Sequence, residues 1–529
     1  MRWPSIGAIK GAGLRIGLLK WLCCFVLGLV PGCQPPSPTE LTPATHTQAP
    51  IAPALTAAGK EYWDAYFFDD IKVGYGHTQY QNVNEQGELC LEIVAKSELT
   101  IHRFGQTVKQ QMEIRSVETP AGEVRIIESK MGNESSDAGS MMMTTVGRVH
   151  DNQLQLEIST LGKTVTSTIP WEKTWGGFFA MEQSLERQPM KPGEKRILHA
   201  LVPGFNQVAD VEYEAVGEEQ TKMLEGQREL LRINTKIKIG DNTLEQTLWT
   251  DAAGQTVKSY MPALKQTSYR TTKEIALSKS EGRFDLGERT IVVVDPKLEK
   301  PHQTRRARYR ITFADGNPFH SFASGSTQSV RKVDAHTVEL DVRSLRPTDA
   351  LGTEFPADQP PTDDDLAANS LIQSDDAEVV ALAGEKAAGA NDFWEIVVAL
   401  EQQVRQHVSN KSFSQALASA ADVARSREGD CTEHAVLLAA LCRAKQIPAR
   451  VAIGMVYFPA AGGFAYHMWT EAWNQDRWIP LDATLGLGGI GAAHLKVSSS
   501  NLKGADPFSQ FLPVFQLIGN IQIKVISYE

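Results

Sequence analysis

Residues 428–486 read EGDCTEHAVLLAALCRAKQIPARVAIGMVYFPAAGGFAYHMWTEAWNQDRWIPLDATLG, and the fold of the C-terminal part of the chain is decided by this stretch. Asp430 and Glu433 have the spacing of a capping box, and Pro448 blocks continuation at the far end, so a helix is expected to begin at Cys431. After its first turn Ala435, Val436, Leu437, Leu438 and Leu441 leave it no polar face, so it should be a buried central helix. Cys431 would occupy the first helical position, where unsatisfied amides and the helix dipole favour an anion. Its thiol is therefore expected to be partly ionised at neutral pH.

A strand (ARVAIGMVYF) and a glycine-containing turn follow, then a hairpin of FAYHMWTEAW and RWIPLDAT across Asn474 to Arg477. If Trp473 pairs with Trp478, His467 falls opposite Thr484 and Trp469 opposite Asp482. His467 and Asp482 then share a face as diagonal neighbours, roughly 7 Å apart at the backbone. A carboxylate that holds one imidazole nitrogen leaves the other free to take a thiol proton, which is the division of labour in a catalytic triad. Cys431, His467 and Asp482 are the candidate nucleophile, base and orienting acid.

Three segments, GDCTEHAVLLAALCRAKQIPAR, FAYHMWTEAW and WIPLDATLG, in that chain order, resemble the transglutaminase-like superfamily of papain-like cysteine enzymes. The resemblance leaves the N-terminal half of the chain outside it. It implies a C-terminal α+β domain and acyl transfer by Cys431, His467 and Asp482 on peptide or glutamine-type amides. Superfamily members include cross-linking enzymes, peptidases, deamidases, peptide N-glycanases and forms that have lost catalysis. Hydrolysis is the expected activity, because the sequence offers no acceptor-amine or calcium site; cross-linking of envelope proteins and a non-catalytic binding module are the alternatives. Trp394, upstream of the nucleophile, reads first as a core aromatic on its helix, and the resemblance implies a second role at the oxyanion. Trp469, beside the base, is the other candidate oxyanion or substrate residue, while the backbone amide of Cys431 is the safer oxyanion donor.

Cys442 lies about 16 Å further along the same helix, too far to bridge Cys431, and reads as core. His434 forms a Cys-x-x-His pair with Cys431, but no second ligand pair follows, so no metal or other cofactor is expected. GLGGIG at 486–491 matches a dinucleotide-binding pattern by chance, since no βαβ unit can form after it.

Upstream, residues 1–32 carry four basic residues, no acid and the apolar run WLCCFVLGLV at 21–30, the grammar of a secretory signal. The run is well short of the ~20 residues of a spanning helix. Leu29-Val30-Pro31-Gly32-Cys33 resembles a bacterial lipoprotein cleavage site, with Cys33 as the lipidated residue and Pro31 as a departure from the usual small residue. A proline-rich tether is expected over 33–59. The expected location is the cell envelope, with membrane contact through the lipid on Cys33 and a protein or peptide as substrate.

The 529 residues suggest about three folded units. Alternating Val-, Ile-, Thr- and Tyr-rich runs between turn residues predict a mostly antiparallel β-rich region over 60–300 and a further β-rich segment over 301–351. A Pro- and Asp-rich linker is expected over 352–374, and the catalytic domain over 375–529. Loss of Arg2, Lys10, Arg15 and Lys20 with the signal takes the net charge from −10 to −14. This acidic chain has no electrostatic footprint for nucleic acid.

Overall fold

The computed structural model describes residues 30–31 and 59–529, apart from 104–105, 135–140, 161–162, 241, 263–264, 281, 315–317, 350–353, 387–391, 412–417, 504–511 and 516. The signal and tether expectations, and Cys33, lie outside the described residues, save for the pair 30–31.

The N-terminal half is one antiparallel sheet with fourteen strands along its path. Eight run as a meander from Glu61–Phe68 to Lys163–Pro170, and six more from Lys195–Val202 to Gln266–Thr271. The two meanders join where Gln266–Thr271 pairs with Glu61–Phe68, with Tyr269 opposite Ala65. The helix Ala180–Arg187 buries Met181 and Leu185 in a core with Val211, Ile233 and Leu244 of the second meander.

Among the described residues, the C-terminal half is built from helices, two smaller sheets and a short parallel pairing of Asn410–Lys411 with Glu428–Gly429. In the first sheet Gly463–Asn474 pairs with Ala449–Phe458, which pairs in turn with His494–Ser500. Arg477–Leu481 joins Gly463–Asn474 through the expected register, Trp473 opposite Trp478. Ala449–Phe458, apart from the half-buried Arg450, and the first ten residues of Gly463–Asn474 are buried. That is why these strands read as nearly continuous apolar runs rather than as alternations. Cys431–Ala444 lies against this sheet, with Thr470 Oγ1 donating to the Ala435 carbonyl at 2.9 Å.

The second sheet takes Gln328–Lys332, Thr337–Arg343 and Arg306–Phe313 and completes them with Ile521–Tyr528. The alternation in RARYRITF is real: Ala307, Tyr309, Ile311 and Phe313 point inward. Arg306, Arg308 and Arg310 pair on the other face with Asp341 and Glu339 of the neighbouring strand. The 352–374 stretch, expected to be a linker, is laid down on this half over its described part. Asp358 accepts from the Trp478 amide at 2.9 Å, Gln359 from the Trp478 indole at 2.9 Å, and Leu371 and Ile372 are buried in the core. Among the described residues, no helix is long and apolar enough to cross a membrane.

The halves are not separate beads. One continuous core contains Leu99 and Ile101 of the large sheet together with Cys431 and Leu437. At the junction Arg103, 2% exposed, brings its Nη1 to 3.8 Å from Asp430 Oδ2.

Candidate active site

Cys431 opens its helix as expected. Asp430 is the N-cap, its Oδ1 accepting from the Thr432 amide at 2.9 Å, and Glu433 Oε2 accepts from the Asp430 amide at 2.8 Å. This closes the capping box and fixes where the helix starts. The structure brings His467 to Cys431 and, just past the end of the hairpin, Asp482 to His467. Exposure is 1% at Cys431, 0% at His467 and 1% at Asp482.

Asp482 is saturated with donors. Its Oδ1 accepts from the amides of Thr484 at 2.9 Å and Leu485 at 3.3 Å. Its Oδ2 accepts from His467 Nε2 at 2.8 Å and from His494 Nε2 at 3.1 Å. Burial opposes ionisation here, but His467 first and His494 after it hold the carboxyl well below the usual range. His467 Nδ1 is buried without a hydrogen bond to nitrogen or oxygen, and Cys431 is the group that acts on this ring besides Asp482. Burial is the largest influence on His467 and draws it down, yet Asp482 and Cys431 together raise it to about 10. A ring bound to the carboxylate through Nε2 leaves Nδ1 as the atom available to exchange a proton with sulfur.

The thiol itself departs from expectation. Burial, and next the adjacent Asp430 carboxylate, push Cys431 above the ordinary thiol value, against the opposing influence of His467. Burial of the sulfur and the anion that caps the same turn both oppose ionisation at this helix start. Cys431 is an acid whose ionisation depends on its imidazole partner, rather than a thiolate made by the helix alone.

The floor of the site comes from residues that sequence reading passed over. Glu401, on the helix Phe393–His407, is wholly buried and accepts from the amides of Asp482 at 2.9 Å, Gly488 at 2.6 Å and Gly489 at 3.4 Å. It pins the turn that carries the acid. Burial raises its carboxyl to about 7, with the charge of Asp482 adding to the rise and the Gly488 amide opposing it. Gly489, at φ +104, sits where a Cβ would meet the Leu345 carbonyl at 2.4 Å, so the GLGGIG glycines serve close packing here. A signal for Glu401 existed: it shares the apolar stripe of its helix with Val397, Leu400 and Val404.

Trp469 stands beside the base, its ring 6.3 Å from that of His467 and nearly parallel, and its indole Nε1 is buried without a partner. Trp394 is half-buried in the first turn of its helix, with its ring edge-on to Phe393 at 5.9 Å. Cys442 is buried and free, and its thiol is pushed up to about 12 by burial. His434 is buried, its Nδ1 2.5 Å from the Asp430 carbonyl and its Nε2 3.1 Å from Lys411 Nζ. Among the described residues, His467, Asp482 and His494 hold ligand atoms within 4.8 Å of one another, a spacing that could also admit a metal ion. An ion there would separate His467 from Asp482.

Fold and site together define a cysteine at the mouth of a buried helix, a histidine on an antiparallel sheet and a carboxylate on the turn that follows the next strand. Residues 380–483 match the model of the transglutaminase-like superfamily, so the C-terminal half carries a transglutaminase-like domain. No curated protein matches the sequence. Among solved structures the chain is similar to a candidate cysteine protease from Cytophaga hutchinsonii, at 16% identity over 43% of this chain and 87% of that one, TM-score 0.27. It is also similar to a β-barrel-like protein of unknown function from Brucella abortus, at 9% identity over 40% and 95% of the two chains, TM-score 0.30. A candidate protease from Parabacteroides distasonis matches at 12% identity over 72% of this chain and 65% of that one, TM-score 0.18.

Proposed function

We propose that this protein is a thiol-dependent acyl-transfer enzyme of the cell envelope that hydrolyses peptide or glutamine-type amide bonds. The observation that carries the reading is His467, bonded through Nε2 to Asp482 at 2.8 Å with Nδ1 left to the thiol of Cys431. Cys431 Sγ gives its proton to His467 Nδ1 and attacks the amide carbon. The backbone amide of Cys431, at the start of its helix, donates to the resulting oxyanion. Collapse of the tetrahedral adduct breaks the C–N bond, and the imidazolium returns its proton to the leaving amine. Water, deprotonated by His467, then cleaves the thioester and regenerates the thiol. Asp482 holds the ring in the tautomer and orientation that both proton transfers need.

Two experiments test this reading. Envelope proteins from cells carrying the natural chain and the Cys431→Ser variant are compared by mass spectrometry for new termini, deamidated glutamines and isopeptide bonds. Cysteine-dependent termini or deamidation support hydrolysis; cysteine-dependent isopeptides would assign transfer to lysine instead, and no difference would mean that the site is vestigial. Lipid on Cys33 in the mature protein, and its release from membranes in Cys33→Ala, checks the anchor.

A further inference from the structure

The acid of the site is shared. Asp482 Oδ2 accepts from two imidazoles, His467 at 2.8 Å and His494 at 3.1 Å, and the second has no place in the chemistry described above. His494 is 2% exposed, opens the strand His494–Ser500 and lies beyond the residues that match the superfamily model. We propose that His494 is a positioning residue for this site: as a neutral imidazole it donates Nε2–H to Asp482 Oδ2, fixing the carboxylate so that it presents its remaining Oδ2 lone pair to His467. The proposal rests on the reading of Cys431, His467 and Asp482 as a working triad.

Three observations carry it. The first is donor counting. Oδ1 is already met by the Thr484 and Leu485 amides, so without His494 the buried Oδ2 would hold His467 alone and could swing about the Cγ axis. The second is that His494 is itself held. Trp469 meets its ring edge-on at 5.3 Å, and the ring of His302 stands 6.3 Å away on another side. The third is the backbone that delivers it. Gly454 has its place for a Cβ taken by the Leu495 carbonyl, 2.1 Å away, and the pairing of Ala449–Phe458 with His494–Ser500 shifts register between Ile453 and Gly454. This bulge lets the strand approach closely and sets His494 opposite Val456. Burial keeps His494 below the ordinary histidine value despite Asp482, so one ring nitrogen carries the proton. The Gly491 carbonyl also acts on this ring and raises it, although Nδ1 meets no partner at hydrogen-bond geometry.

The test reads Cys431 directly, through its rate of alkylation by iodoacetamide in the full-length protein near neutral pH, followed by peptide mass spectrometry. His494→Leu should slow labelling about tenfold or more, by analogy with the loss seen when a group that orients a metal-bound residue is removed. His494→Gln places an amide N–H near the position of Nε2 and should recover most of that loss; His494→Asn, which places it near Nδ1, should not. The split between Gln and Asn is what a purely structural histidine would not produce. Should the Leu variant fail to fold, the Gln and Asn pair decides alone. A folded His494→Leu protein that labels at the natural rate, or Gln and Asn variants that are equally slow, would overturn the proposal. His467→Ala separates the two levels: if it leaves labelling unchanged, the triad reading itself fails, whatever His494 does.

Discussion

Glu401 offers a prediction whose size can be worked out. It is wholly buried against the amides of Asp482, Gly488 and Gly489, and its carboxyl is raised from 4.5 to about 7, with burial as the leading cause. A carboxyl whose folded value lies above its unfolded value binds its proton more tightly when folded. Its stabilising effect is complete below the unfolded value and is lost as pH rises through the folded one. Between 4.5 and 7 the folded protein holds the extra proton, so stability must fall across that window as pH rises. At 1.36 kcal/mol for each pH unit of difference, the loss is about 3 kcal/mol. Glu401→Gln cannot titrate and removes this slope, whatever constant penalty the amide brings by facing the Gly488 N–H. Equilibrium urea unfolding of both proteins at about pH 5 and about pH 8 gives the comparison. The variant should gain about 3 kcal/mol on the natural protein between those conditions. Glu182, raised to about 7 in the N-terminal half, titrates over the same range but is common to both proteins and cancels. Parallel pH profiles would refute the assignment of a buried, proton-holding carboxyl beneath Asp482.

Asp482→Asn should leave the fold intact and lower turnover by about 10³–10⁴-fold, since a ring facing an amide adopts the wrong tautomer; single-turnover kinetics on a peptide found by the envelope comparison would read it. Asp430→Asn keeps an N-cap of equal quality but removes the charge that raises the Cys431 thiol, so the pH profile of iodoacetamide labelling should move to lower pH without loss of helix content by circular dichroism. Arg103→Ala leaves Asp430 buried without its nearest cation and should destabilise the protein by about 3 kcal/mol in a denaturant titration. Leu438→Ala, in the wholly buried part of the nucleophile's helix, should cost about 2–5 kcal/mol by the same measurement.

Much of the candidate site was legible because it is written in short-range rules. A capping box fixes a helix start within four residues, so Cys431 could be placed at its first position. A hairpin register follows from one cross-strand pair, and Trp473 does stand opposite Trp478, but the ladder ends at Thr470 opposite Leu481 and Asp482 reaches His467 from just beyond it. What stayed hidden depends on contacts across the fold. His494 reaches Asp482 only because its strand pairs with Ala449–Phe458 through a bulge, and no local pattern announces that pairing. Glu401 did leave a trace, an acid on an apolar stripe, but its partners lie more than eighty residues away. For the thiol, a helix dipole can be read from sequence while the burial that raises it cannot. In the same way a Pro- and Asp-rich composition describes 352–374 as polar without saying that Asp358 and Gln359 would serve as acceptors for Trp478.

The strand Ile521–Tyr528 has a consequence in time. It covers one edge of Arg306–Phe313, whose other edge is taken by Thr337–Arg343, so Arg306–Phe313 lacks its second partner until residue 528 has been made. At about 5–20 residues per second, a ribosome that has finished Arg343 needs roughly ten to forty seconds to supply the missing partner. Through that interval the nascent chain offers a row of unsatisfied amides and carbonyls beside Tyr309 and Ile311, the kind of edge on which neighbouring chains pair wrongly. Yield of this protein should therefore respond to translation speed and to chaperones that shield strand edges more than to the stability of the finished fold.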